Sequence, residues 1–321
     1  MTSPRRRWPR LEWRNGLIND LNHLHEHSRS VALLPAEERI AWIRRERWIE
    51  YPRGMRALNR ISDLLAHPPR DRMPCLLLHG ATGMGKTRIL KKFLRSHSPI
   101  FDEVTGFTRL AVAAIQMPPH PNELHLYEEI LVSLGAALPY SPSTGTLRHR
   151  VRVLCRQMNV RMLIIDEIHC LLAGTYREQR IILNCIRFLA NDLRIPLVCA
   201  GTQEAKTALL TDEQLADRFE AFELSPWQDD TDFHQLLVSF GALLPLRRPS
   251  PLRDAKVRKR LLAMTDGVTV RICRLLEDAA VMAINQNVEQ IDLDSLHDDL
   301  AVQSLASVSD RRKRRATGPR G

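Results

Sequence analysis

The stretch Cys75-Leu-Leu-Leu-His-Gly80-Ala-Thr-Gly-Met-Gly-Lys-Thr87 decides the fold. Its second part, Gly80-Ala81-Thr82-Gly83-Met84-Gly85-Lys86-Thr87, matches the pattern GxxxxGK[ST]. An apolar strand precedes it, and a helix with Ile89, Leu90, Phe93 and Leu94 on one face follows. Each residue type has a chemical reason. Glycines let the backbone curl until successive N–H groups point at phosphate oxygens. A helix starting near Lys86 adds the positive end of its dipole. Lys86 would reach the β- and γ-phosphates of a nucleotide, and the Thr87 hydroxyl would coordinate Mg²⁺. ATP with Mg²⁺ is therefore the expected ligand.

A second signal lies downstream at Met162-Leu-Ile-Ile-Asp166-Glu167. Four apolar residues ending in two carboxylates describe a buried strand whose acids emerge at the edge where α/β proteins bind ligands. Asp166 would hold Mg²⁺ through water, and Glu167 would polarise an attacking water as general base. The next apolar strand ends Cys199-Ala-Gly-Thr202. Thr202 is the candidate for contact with the γ-phosphate and the water, with Gln203 its neighbour; a helix N-cap is the ordinary alternative. Arg218, after a short helix and before the last strand, is placed where an arginine finger would enter a neighbouring subunit's nucleotide. An ion pair with Asp217 or Glu220 is the plainer reading. Arg271, in Gly267-Val-Thr-Val-Arg271, would face the γ-phosphate from a helical region, with Arg274 as competitor. His169 reads as the start of a loop, because a DExH helicase needs two such domains and the chain is too short for them.

Around these motifs the chain divides. Residues 1–50 form an accessory helical segment, with helices expected over 17–27 and 35–48. Residues 51–226 alternate strands and helices, with strands at 75–79, 110–116, 161–165, 197–200 and 222–224. Uniformly apolar strands of this kind belong to a parallel sheet covered on both faces. Residues 227–306 read as helices only, the last over 293–304, and 307–321 as a basic tail without structure.

Composition sets limits. Apolar content of 44% and charged content of 26% are ordinary for a globular chain. No apolar run approaches the ~20 residues that span a bilayer, and the basic N-terminus lacks the apolar core of a secretory signal, so a cytoplasmic location without membrane is expected. The six cysteines are scattered without a CxxC pair, which fits buried thiols rather than zinc or disulfides. The net charge of +10 is concentrated at the ends: residues 1–72 carry +6, residues 311–321 carry six bases and no acid, and 73–310 carry −2. Basic ends favour a polyanionic partner. No Lys or Arg occurs between 110 and 147, so the denser cationic candidate for DNA is the 148–156 helix with Arg148, Arg152 and Arg156. A solvated helix face accounts for it equally well.

Together the P-loop, the Asp-Glu strand, Thr202, Arg218 and a helical lid resemble an AAA+ ATPase. The expected fold is α/β: a P-loop AAA+ parallel sheet core flanked by helices, with a C-terminal all-helical lid domain. Several stretches narrow the likeness: Tyr51-Pro-Arg, Leu64-Leu-Ala-His-Pro68, Gln116-Met-Pro118, and above all 163–196 with Asp-Glu-Ile-His, Leu171-Leu-Ala-Gly-Thr-Tyr-Arg-Glu-Gln179 and Phe188-Leu-Ala-Asn-Asp192. They resemble the TniB family of transposition ATPases, related to TnsC and more distantly to MuB. That resemblance implies binding of ATP, assembly as an oligomer or filament on double-stranded DNA, and bridging of a TniQ-like target selector to a DDE transposase of the TniA type. A helicase loader of AAA+ type is the alternative. A P-loop phosphotransferase for small molecules fits less well, since Glu167 favours water as acceptor and Arg218 implies an oligomer.

Overall fold

The apolar runs read as strands do lie side by side, and alternate residues of each run feed two different cores. The computed structural model describes residues 21–104, 106–141 and 143–297. After a single 3-10 turn come α1 (Glu26–Ala32), α2 (Ala36–Ile43) and α3 (Pro52–Ala66). Then follow β1 (Cys75–His79), α4 (Lys86–Arg95), a hairpin of β2 (Ile100–Asp102) and β3 (Phe107–Arg109), and β4 (Val112–Gln116). The next units are α5 (Glu123–Ser133), α6 (Thr144–Gln157), β5 (Met162–Asp166), α7 (Tyr176–Leu193) and β6 (Leu197–Gly201). The sheet ends with α8 (Glu204–Leu210), α9 (Glu213–Ala216) and β7 (Phe219–Glu223), and α10 (Thr231–Leu243), α11 (Ala255–Thr265) and α12 (Thr269–Asn285) are the last of the described elements.

The five long strands form one sheet in the order β4-β5-β6-β1-β7, and every pairing in it is parallel. Side chains of a strand alternate between faces. Leu76, Leu78, Met162, Ile164, Val198 and Ala200 face one core with α3 and α4. Cys75, Leu77, Leu163, Ile165, Leu197 and Cys199 face the other, which α5, α6 and α7 cover. The central strands can be apolar throughout because neither face meets water. Among the described residues all six cysteines are free thiols, four of them buried.

The first core continues into the helical region. Phe233, Leu236, Leu237, Phe240, Leu276 and Ala280 belong to the same continuous core as the first sheet face. Residues 21–50 pack on these helices as well. His25 N–H donates to the Ala242 carbonyl at 2.8 Å, Arg44 pairs with Asp278 at 2.7 Å, and buried Arg39 donates to Glu289 Oε1 at 2.8 Å and to the Pro245 carbonyl at 3.0 Å.

Several sequence expectations shift. The helix expected over 17–27 is broken at 24–25, and its first residues lie outside the described ones. The helix expected to reach 48 ends at Ile43. The hairpin β2–β3 was not anticipated, and the last strand begins at Phe219 rather than 222. Of the helix expected over 293–304, the part through 297 is turn and coil; the remainder, like the tail at 307–321, is outside the described residues. Among the described residues no helix is long and apolar enough to cross a membrane.

Candidate nucleotide site

The loop between β1 and α4 carries Gly83 and Gly85 at φ of +82° and +95°, a backbone region that residues with a Cβ rarely adopt. Space demands glycine too: a Cβ on Gly83 would come within 2.7 Å of Val270 Cγ1. The loop thus curls in the way the motif predicts, and α4 begins at Lys86 with its N-terminus aimed into the curl. Lys86 is buried and donates to the carbonyls of Gly80 and Ala81 at 2.8 and 3.0 Å. Burial lowers its pKa, and the charges of Glu167 and Asp166 act against that shift.

The neighbouring strand supplies the acids. Thr87 Oγ1 donates to Asp166 Oδ2 at 2.7 Å, which joins two oxygen ligands that suit Mg²⁺. Glu167 follows at φ +54°, so the chain turns sharply at the strand end and presents its carboxylate to a cavity. That cavity, about 450 Å³ in volume, is lined by Thr82, Gly83, Gly85, Lys86, Thr87, Glu167 and Thr202 at one end. Its size is within the range of small-molecule sites. Glycine curl, helix N-terminus, ammonium and paired hard oxygens fit a triphosphate with Mg²⁺.

At the tip of β6 the geometry separates Thr202 from Gln203. Thr202 lines the cavity, with its hydroxyl 3.0 Å from Glu204 Oε2. Gln203 is turned away to His79, at 2.8 Å, and it is Gln203 rather than Thr202 that occupies the N-cap of α8. His169 stands between the two candidate groups. Its Nδ1 accepts from the Thr202 N–H at 3.5 Å, and its Nε2 faces Glu167 Oε2 at 3.3 Å. Read as a loop residue, His169 instead touches both.

Arg218 is not at this cavity. It donates to Asn191 Oδ1 at 2.6 Å on α7, while Glu220 is engaged by Arg60, so neither ion pair considered from sequence forms. Arg271 is also elsewhere: it pairs with Asp266 at 2.6 Å. The residues of α12 that reach the cavity are Thr269, Val270, Cys273 and Glu277, one helical face, and Arg271 and Arg274 are off it. The cationic helix is likewise committed. Arg152 holds Asp192 with two bonds of 2.8 and 2.5 Å, Arg156 adds a third of 2.6 Å, and the pairing keeps the Asp192 carboxyl below its ordinary value. Among the three DNA candidates Arg148 alone remains exposed without an acid, near the Phe188 ring.

Sequence reading missed the other end of the cavity. Residues 44–49 fold back over the P-loop, so that Arg44, Arg45, Trp48, Ile49 and Tyr51 line it together with α12. Tyr51 stacks on Trp48 at 5.8 Å and meets Trp227 edge-on at 5.5 Å. Burial pushes its hydroxyl pKa up to about 12. Trp227 in turn donates from Nε1 to Thr269 Oγ1 at 2.9 Å, and the Val270 N–H donates to the Gly83 carbonyl at 3.0 Å. The clustering of Trp48, Tyr51 and the adjoining Pro52 was the available signal.

A parallel sheet in this order, a P-loop at its centre and a helical region over the loop define a P-loop protein of the AAA+ class. The comparisons agree. The chain resembles the Aeropyrum pernix ORC2 protein with a TM-score of 0.58 at 13% identity, over 85% of this chain and 73% of that one. It resembles the Aeropyrum pernix ORC1 protein, solved in complex with DNA, with 0.53 at 18%, over 86% and 70%. Pyrobaculum aerophilum Cdc6p gives 0.53 at 19%, over 78% and 66%. At such identities the likeness concerns the fold. No curated protein matches the chain. The family is defined by sequence: the model of the bacterial TniB protein matches residues 39–229, and the chain belongs to the TniB family.

Proposed function

We propose that this chain is an ATP-driven switch in DNA transposition. It binds ATP with Mg²⁺ in the cytoplasm, assembles as an oligomer or filament on duplex DNA, and connects a TniQ-like target selector to a DDE transposase of the TniA type. Hydrolysis times assembly and release. The observation that carries the enzymatic part is the meeting of Lys86, the Thr87–Asp166 pair and Glu167 at one cavity. TniB membership supports the transposition part over a helicase loader, and a related fold in complex with DNA supports the duplex.

Bound Mg²⁺ would supply charge neutralisation between phosphate oxygens. The protein's own residues do the rest. Lys86 gives up the Gly80 and Ala81 carbonyls for phosphate oxygens, a modest exchange for an ammonium that burial already disfavours. Glu167 accepts the proton of the attacking water. With Nδ1 accepting from the Thr202 N–H, the neutral His169 ring carries its proton on Nε2, toward Glu167. His169 is thus a positioning residue that ties the base to the Thr202 strand tip. Arg218, held beside Asn191 and away from this chain's own cavity, serves the site of a neighbouring subunit.

The test is Glu167→Gln. The variant is expected to bind ATP, to lose turnover and to remain on duplex DNA as an oligomer. Wild-type turnover would remove Glu167 from its role, and release from DNA at the wild-type rate would separate hydrolysis from disassembly.

A further inference from the structure

The near-neutral charge of residues 73–310 conceals one strongly basic segment. Residues 247–260 contain seven Lys or Arg and a single acid, Asp254. Three of the cations have internal work. Arg247 donates to the Ala32 carbonyl at 3.1 Å, Arg258 to Asp229 at 2.6 Å, and Arg260 to the Leu296 carbonyl at 3.4 Å. The other four, Arg248, Arg253, Lys256 and Lys259, are exposed. Among the described residues none of their side chains has a hydrogen-bond or ion-pair partner.

The backbone that carries these four is held in place by hydrogen bonds and packing. Pro245, Pro249 and Pro251 restrict the loop before α11. The Arg248 N–H donates to the Glu289 carbonyl at 3.0 Å, and the Ile291 N–H donates to Ser250 Oγ at 2.9 Å. Asp254 caps α11, accepting from the Lys256 N–H at 2.7 Å, and its single charge is outnumbered by the four cations. In α11 the buried residues are Val257, Leu261 and Thr265. Helical spacing then turns Lys256 and Lys259 directly away from the core. An ordered array of unpaired cations loses less entropy on binding a polyanion than a floppy tail does.

We infer that the loop 247–254 and the outward face of α11 form a contact surface for the phosphate backbone of duplex DNA. This rests on the DNA-binding reading above and gives that reading a location. The contrast with the 148–156 helix favours it, since Arg152 and Arg156 are both engaged by Asp192 there. The cations run along a loop and a helix face instead of converging on a pocket, as a linear array of phosphates requires. An acidic peptide would also be attracted, but it would use the apolar groove of Leu237, Val238 and Leu246 beside Arg248, which a phosphate backbone does not enter.

The experiment uses the full chain with a non-hydrolysable ATP analogue and a random-sequence duplex over a salt series. The combined variant Arg248→Ala, Arg253→Ala, Lys256→Ala, Lys259→Ala is expected to bind more weakly. Its log–log salt slope should fall by about 2–4, since each lost phosphate contact removes ~0.9. Its ATP affinity and its thermal unfolding midpoint without DNA should stay at the wild-type level, which shows that the variant folds. Lys256→Glu with Lys259→Glu, both on the solvent face, should weaken binding in the same direction. An unchanged slope and affinity in both variants would overturn the inference while leaving the DNA-binding reading intact. A wild-type chain that binds no duplex at any salt would overturn both. Unchanged duplex binding with lost binding of a poly-glutamate peptide would make this a peptide surface instead.

Discussion

The two ends of the nucleotide cavity are built by different means. The phosphate end comes from short local pieces, each set at a strand tip: the Gly80–Thr87 loop after β1, Asp166 and Glu167 after β5, and Thr202 after β6. The opposite end is made by residues 44–51 and by α12, more than two hundred positions apart in the chain, brought together through Tyr51, Trp227 and Thr269. Chemistry at the first end depends on residue identity at fixed spacing. Shape at the second depends on packing that also holds residues 21–50 to the helical region. Substitutions at the phosphate end should therefore cost turnover and spare the fold, while substitutions at the other end should cost both.

The largest effect is expected from Arg218→Ala, which should lower turnover by about 10³–10⁵-fold with thermal stability nearly unchanged; steady-state kinetics on the assembled protein reads it. In the packing behind the other end, Arg39→Ala removes one partner of a buried pair that ties residues 21–50 to the helical region, with side chains 2% and 9% exposed. It should destabilise the protein by about 3–5 kcal/mol in denaturant unfolding. A neutral result there would break the comparison, because residues 21–50 would then not depend on the helical region. His169→Ala should reduce kcat by up to ~10²-fold through a misplaced Glu167, with KM little changed; an equal loss in both would make His169 a structural residue. Gly54→Ala sharpens the second end. Its new Cβ would stand 2.7 Å from the Tyr51 ring, which Trp48 and Trp227 hold in place, so about 1–3 kcal/mol of stability should be lost together with nucleotide affinity.

The smallest effect concerns acid. Hydrogen bonds from Arg258 and then His234 depress the Asp229 carboxyl to about 2. A depressed carboxylate contributes stability above its unfolded value of ~3.9, and the contribution is lost as pH falls toward about 2. Asp229→Asn should flatten the stability–pH curve in that window alone.

The same division explains what could be read from the sequence. β1, β5 and β6 were legible because each is apolar on both faces, and the P-loop and Asp166-Glu167 because their spacing is dictated by phosphate and metal chemistry. β7 starts earlier than its apolar residues suggest, since Phe219-Glu-Ala-Phe-Glu223 is an edge strand with polar residues facing water. The three-residue strands of the hairpin are too short to show a period. Residues 44–49 carry no motif; their place at the cavity follows from a fold-back that only tertiary contacts fix. Arg152 and Arg156 read as a DNA face because their partner, Asp192, lies on another helix. Arg271 read as a sensor because its spacing from Gly267 is right, although the helical face that reaches the cavity belongs to Val270, Cys273 and Glu277.

Under the proposed switch, the phosphate end is completed by a neighbouring copy. Mixing subunits tests it: one carries Lys86→Ala and cannot bind phosphate, the other carries Arg218→Ala and cannot supply the finger. Each alone should be inactive. Together with duplex DNA they should hydrolyse ATP, because the intact pocket of one meets the intact Arg218 of the other. A mixture no more active than its two components, or an Arg218→Ala chain that turns over like wild type alone, would contradict the account.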